Sequence, residues 1–186
     1  MSTGIFEVIF HARAGQGAKT VAELLVEAAL DKGKHVQAWP NYGAERSGAP
    51  MRTFVRISNT PIKTHAAIRE ADAVVVIDPT LLKYLDVTSN LKKDGILVVN
   101  YCNTDDVRAI TKFTGKIFAV DSSEISHRIM GRNMPNMAML GALVKVTGLV
   151  EISAVVNSLR KMFTKKIGEE MTAKNVMALK EGYEKI

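Results

Sequence analysis

Residues 5–29 read Ile5-Phe6-Glu7-Val8-Ile9-Phe10, then His11-Ala12-Arg13-Ala14-Gly15-Gln16-Gly17-Ala18-Lys19-Thr20, then Val21-Ala22-Glu23-Leu24-Leu25-Val26-Glu27-Ala28-Ala29. An apolar, β-branched run enters a short turn containing two glycines, and the turn opens a segment of helical period. This predicts strand, loop and helix, with a helix N-terminus that offers free backbone N–H groups and the positive end of a dipole to an anion. The apolar stripe of Val21, Leu24, Leu25, Ala28 and Ala29 closes at Lys32-Gly33-Lys34, where Gly33 suits a C′ position and the lysines suit the negative helix end.

Outward from this unit, strands and helices alternate. His35–Trp39 is expected to be a second strand, parallel to the first if the helix is a right-handed crossover. Residues 40–50 then form a long loop, Met51–Ile57 a half-buried strand, and Pro61-Ile62-Lys63 an antiparallel partner or edge strand, with a short helix over Ala66–Ala71. The apolar runs 73–77, 95–99 and 116–120 read as buried parallel strands ending at Asp78, Asn100 and Asp121. Short helical pieces are expected at 81–84, 87–93, 105–111 and from Ser122 to near Met130. After a loop at 131–136, residues 137–146, 151–162 and 169–185 are helical. The pattern is a three-layer α/β domain over residues 1–186, with a mostly parallel sheet, flanking helices and a helical C-terminal segment.

Composition narrows the function. The 186 residues carry 25 basic and 19 acidic side chains, a formal charge of +6 that would suit a polyphosphate ligand, nucleic acid or an acidic protein. The basic residues are dispersed apart from Arg160-Lys161 and Lys165-Lys166, a solvated helix end, and aromatics are 6% and not interleaved with them. A nucleic-acid module therefore rests on charge alone. No apolar run approaches the roughly 20 residues that span a bilayer, and no signal peptide is expected. One cysteine, Cys102, allows neither an internal disulfide nor a cysteine-based metal cage. A cytoplasmic protein is the expectation.

The chemistry-bearing residues gather at strand ends and loops. The loop 12–17 fits neither phosphate fingerprint: the G-x-G-x-x-G spacing is absent, and Arg13 and Ala18 stand where a P-loop needs glycines. A tight packing turn and an anion contact both remain open for it. Loop 40–50 holds Tyr42 and Arg46, residue types enriched at interface hot spots, with glycines that permit close backbone approach. Contact with another molecule and an internal Glu45–Arg46 pair are its two readings. Asp78, Asn100 and Asp121 lie at the carboxyl edge, where open α/β sheets bind ligands, and serve equally as helix caps. His11 at a strand end could act as a general base, yet it has no carboxylate partner in sequence, and the remaining histidines, His35, His65 and His127, give no metal-ligand spacing. Cys102 is expected to be inert, and the late methionines to pack a core or a subunit contact. The residues themselves yield no self-contained catalytic set and no metal site.

Four segments carry a resemblance. His11-Ala12-Arg13-Ala14-Gly15-Gln16-Gly17-Ala18-Lys19, Tyr42-Gly43-Ala44-Glu45-Arg46-Ser47-Gly48-Ala49-Pro50-Met51-Arg52, Val75-Val76-Ile77-Asp78-Pro79 and Pro135-Asn136-Met137-Ala138-Met139-Leu140-Gly141-Ala142 resemble, in order and over nearly the whole chain, the gamma subunit of pyruvate:ferredoxin oxidoreductase (pyruvate synthase). That family often has Gly where Ala12 and Ala14 stand, and Gly-Gly in place of Gly48-Ala49, the latter pattern being closer to its pyruvate-type branch than to the wider 2-oxoacid branch. The resemblance implies a subunit of a heterotetrameric oxidoreductase that decarboxylates a 2-oxoacid oxidatively, reduces ferredoxin and forms acyl-CoA. It implies thiamine diphosphate, magnesium and iron–sulfur clusters on the alpha, beta and delta subunits, CoA as cosubstrate, and no nucleic-acid or membrane partner. Gly15, Gln16 and Gly17 would then meet CoA or a partner subunit, and Tyr42, Gly43, Glu45, Arg46, Ser47 and Gly48 would form the interface, with no catalytic residue on this chain. The alternative is a free-standing nucleotide- or dinucleotide-binding Rossmann-like oxidoreductase, which binding of NAD(P) or FAD by the isolated chain would reveal.

Overall fold

The computed structural model describes residues 4–42 and 48–186. Strand β1, Ile5–Arg13, places Val8, Phe10 and Ala12 on one sheet face and Ile9 on the other, all fully buried. Buried on both faces, it sits inside a six-stranded sheet with β2 (His35–Tyr42), β3 (Pro50–Ser58), β4 (Ala71–Val76), β5 (Leu91–Asn100) and β6 (Lys116–Val120), in the order β2-β3-β1-β4-β5-β6. β1, β4, β5 and β6 pair in parallel, while β3 is antiparallel to both β1 and β2. β2 thus points the same way as β1, as expected, but β3 is slotted between them.

Helices α1 (Ala18–Leu30), α3 (Ser122–Met130), α4 (Asn136–Thr147) and α5 (Ile152–Glu184) bury their apolar faces on one side of the sheet. α1 buries the five residues of its predicted stripe, and Gly33 follows it with φ 74°. The other side is covered thinly, by α2 (Thr104–Thr111), a short 3-10 helix (Pro79–Lys83) and irregular chain carrying Ile68 and Val87. The α/β architecture with a helical C-terminal segment is as read from the sequence. The two predicted C-terminal helices meet at Gly168, as expected, where φ of 79° and ψ of 169° are not helical and divide α5 in two.

Several local expectations fail. Residues 61–70 form neither an edge strand nor a helix. The Arg56 guanidinium, 2% exposed, takes their carbonyls: Nη2 donates to Ala66 O at 2.6 Å and Nη1 to Thr64 O at 3.5 Å. Arg56 also pairs with Glu7 Oε1 at 2.7 Å and lies over the Trp39 ring at 4.9 Å. β3, with Arg52, Phe54 and Arg56 on its second face, is therefore buried on both faces rather than half-buried. Within the predicted loop 40–50, residues 40–42 are strand, since β2 continues through Pro40 to Tyr42, and Pro50 already opens β3. Pro40 fits there because β2 is an edge strand. Residues 87–90 are turn, and β5 begins at Leu91, earlier than its apolar run.

α4 and α5 approach at backbone distance. A Cβ on Gly141 would lie 1.9 Å from Leu179 O, and one on Gly182 would lie 2.0 Å from Ala138 O. Each glycine is the notch for the other helix's backbone, which no rotamer change can clear. Gly182→Ala is expected to cost about 3 kcal/mol. By thermal unfolding followed by circular dichroism this lowers Tm by roughly 6–12 °C.

Candidate functional site at the carboxyl edge of the sheet

β1 and β4 run in parallel and end side by side, so the loop after Arg13 meets the turn at Asp78. Ile77 N donates to His11 O at 2.8 Å and brings the two chain segments into register. Asp78 caps the 3-10 helix, its Oδ1 accepting from Thr80 N at 2.9 Å and from Thr80 Oγ1 at 2.6 Å. Its Oδ2 accepts from Gln16 Nε2 at 2.6 Å and lies 3.3 Å from Arg13 Nε. Burial pushes the Asp78 carboxyl up. The hydrogen bonds from the Thr80 hydroxyl, the Gln16 amide and the Thr80 N–H, with the Arg13 charge, outweigh that and hold it below the usual carboxylate range.

The same hub reaches the hairpin. Arg13 Nη1 donates to Gly48 O at 3.0 Å and Nη2 to Thr80 Oγ1 at 3.0 Å, while Ala14 N donates to Ala49 O at 3.0 Å. Gln16 Oε1 accepts from Arg13 N at 2.8 Å, so both ends of this amide are engaged within the chain. Gly15 is exposed at φ 96°. Gly17 sits at the N-cap of α1 with φ 78° and no side-chain cap, and a Cβ there would come within 2.3 Å of the Asn136 amide. Gly17 therefore lies against the start of α4, which begins at Asn136.

The structure thus joins two of the predicted site segments, 13–17 and Gly48, through Asp78. Gly43, Glu45, Arg46 and Ser47 lie outside the described residues, as does the Tyr42 side chain. Asn100 and Asp121 take the capping alternative. Asn100 Nδ2 donates to Ile77 O at 2.9 Å, its Oδ1 accepts from Ser123 N at 3.1 Å, and Asp121 accepts from Glu124 N at 2.9 Å. Met130, Met137 and Met139 are core residues and Met134 packs against them. Cys102 is exposed just beyond β5. Among the described residues no group of three or more His, Cys, Asp or Glu is placed to hold a metal ion, and no helix is long and apolar enough to cross a membrane.

His11 is 6% exposed, and its Nδ1 has no hydrogen-bond partner among the described residues. Burial, helped by the Arg52 charge, lowers its pKa to about 4, so at neutral pH it is an uncharged imidazole. It floors a cavity of about 430 Å³ between β1, the start of β3 and the turn after the 3-10 helix. Sequence reasoning passed over Arg52 and Thr80. The cross-strand pairing His11↔Arg52 was the missing signal, and it depends on β3 lying against β1.

Two stability tests follow from these shifts. The unfolded chain binds a proton at His11 more readily than the folded one, so the wild type loses about 3 kcal/mol relative to His11→Asn as pH falls from about 6.5 to 4, read from denaturant unfolding across that range. Asp78→Asn puts an amide where four donors converge and is expected to cost about 2–3 kcal/mol at pH 7, read the same way.

Comparison with known proteins places these segments in context. The family model described as pyruvate ferredoxin/flavodoxin oxidoreductase matches residues 7–185. The pyruvate synthase subunit PorC of Thermotoga maritima is 48% identical over 182 residues, covering 97% of this chain and 94% of that protein. The pyruvate/ketoisovalerate oxidoreductases common subunit gamma of Pyrococcus furiosus is 44% identical, covering 97% of each chain. The crystal structure of the Thermotoga maritima pyruvate oxidoreductase subunit PORC superposes with a TM-score of 0.86 at 46% identity, covering 98% of this chain and 97% of that one.

Proposed function

The chain belongs to the pyruvate ferredoxin/flavodoxin oxidoreductase family, and we propose that it serves there as the gamma subunit of a multisubunit pyruvate synthase. The observation that carries this is the 48% identity to the Thermotoga subunit over nearly the full length of both chains. The assembled enzyme oxidatively decarboxylates pyruvate, passes the electrons to ferredoxin and forms acetyl-CoA. This chain completes that enzyme and does no chemistry alone.

The chain's own residues support the division of labour. A four-cysteine iron–sulfur cluster does not fit a chain with one cysteine. In this reading thiamine diphosphate, magnesium and the clusters belong to the alpha, beta and delta partners. The shared gamma subunit named for Pyrococcus furiosus supports placing the choice of 2-oxoacid on those partners as well. The cytoplasm is the proposed location.

Toward CoA, the chain offers a capless α1 N-terminus beside the exposed Gly15, with Lys19 exposed on the first turn. Its contribution would run through backbone N–H groups, since the Gln16 amide is engaged by Asp78 and Arg13 N. Tyr42, Gly43, Glu45, Arg46, Ser47 and Gly48 would supply the partner contact. A free-standing dinucleotide enzyme is not favoured: the loop lacks the glycine spacing, and Gln16 ties it down against Asp78.

Affinity purification of the tagged chain from its native cells is expected to recover three partner subunits. The recovered complex should reduce ferredoxin with pyruvate and CoA, and lose that activity when this chain is removed. Recovery of a lone monomer overturns the reading. Arg46→Ala is expected to weaken assembly or raise the CoA requirement, and unchanged assembly and kinetics would remove Arg46 from the interface.

A further inference from the structure

Apolar surface held out on a rigid turn marks a contact more firmly than the same surface on a loose one. Among the described residues Tyr84 is the most exposed large hydrophobic side chain, at 74%, and Leu85 beside it is exposed as well. Their turn is held by its own hydrogen bonds. Tyr84 N and Leu85 N both donate to Leu81 O, at 3.1 and 2.9 Å, and Leu85 O accepts from Val87 N at 3.0 Å. Asp86 Oδ1 accepts from Thr88 N at 3.0 Å and Thr88 Oγ1 at 2.7 Å, and Ser89 Oγ donates to Asp86 O at 2.9 Å. The Leu81 side chain, fully buried, anchors the turn to the domain. A preordered backbone thus displays both side chains, and little ordering entropy opposes covering them.

The cavity of about 430 Å³ ties this turn to the start of β3. Leu85 lines it from the turn, and Pro50 and Met51 line it from the strand. Pro50 stands two residues from Gly48, which the proposed function places in the subunit contact. The exposed pair is therefore continuous, across the cavity, with that contact. Arg52 and Asp86 are the charged residues of the lining and have opposite signs, so the cavity selects no ion and suits an uncharged group. Apolar walls with a polar rim are the anatomy of a pocket that takes an anchor side chain at a protein interface. Relatives named as subunits supply the class of partner.

We propose that Tyr84, Leu85 and the cavity beside them dock a partner subunit of the oxidoreductase. The partner covers the Tyr84 ring and inserts an uncharged side chain, of leucine or phenylalanine size, between Leu85 and Met51. This rests on the reading of the chain as a gamma subunit, and it extends the subunit contact from residues 42–48 to the turn after the 3-10 helix.

The test expresses the tagged chain in its native cells and measures the partner subunits, identified by mass spectrometry, that stay with it through washing. Tyr84→Ser and Leu85→Ser should each retain at least tenfold less than the wild type, and the double variant none that is detectable. Met177→Ser, which removes an exposed side chain on α5, should retain as much as the wild type. Circular dichroism checks that each variant is folded. Hydroxyl-radical footprinting of the wild type should oxidise Tyr84 in the free chain and spare it in the purified complex, and it decides alone where a variant fails to fold. Full retention by the folded double variant, Tyr84 oxidised equally in the complex, or a dimer of the free chain that the double variant dissolves overturns the proposal and leaves the gamma-subunit reading intact. A wild type that retains no partner overturns both.

Discussion

A carboxylate at the end of a buried strand governs the face that this chain presents. Asp78 follows four fully buried residues of β4 and Ile77, and lies 6% exposed. An unpaired charge in that position would cost several kcal/mol, so the surrounding chain must bring donors to it. The donors come from three places: Thr80 of its own turn, Gln16 of the first loop, and Arg13 at the end of β1. Because Arg13 also reaches Gly48 O, one charge fixes the relative positions of loop 14–17, the hairpin root and the 3-10 helix. The polar groups around Asp78 are thus occupied with each other rather than left free.

A second buried ion pair explains the asymmetry of the layers. Arg56 and Glu7 neutralise each other on the thinly covered face, and the guanidinium's other donors hold the carbonyls of Thr64 and Ala66. Chain 61–70 thus satisfies its backbone with a side chain instead of a helix or a ladder. On the opposite face, α4 and α5 meet through Gly141 and Gly182 with no room for any side chain between them. One face is built by polar tethering and the other by close apolar packing.

What was legible in the sequence divides along the same line. Elements whose residues bury by period alone were readable: the stripe of α1, the apolar runs of β4, β5 and β6, and the helices after Met137. Elements settled by a distant partner were not. Arg56 read as the solvent side of a strand, because its burial requires Glu7 from β1 and a chain segment laid over the sheet. Residues 40–42 read as loop because Pro40 breaks a strand pattern unless the strand is an edge, and edge position is a property of the whole sheet. The internal engagement of Gln16 was not readable because its acceptor lies 62 residues onward. The family resemblance reached the function sooner than the geometry could, since it rested on the order of motifs rather than on contacts.

These constraints bear on how such a chain can matter to a reaction it does not perform. An interface or cosubstrate contact made by a floppy loop has ordering entropy to overcome at every encounter. Here the loop 14–17 is ordered before any partner arrives: Gly17 is held against Asn136 by a fit that admits no Cβ, and Gln16 is fixed at both ends of its amide. α1 then presents its N–H groups from a fixed position with no side chain capping them. The neutral state of His11 fits the same logic. A charged imidazole beside Arg52 would repel it and loosen the β1–β3 pairing, whereas burial keeps the proton off and leaves Arg52 as the cation of that corner.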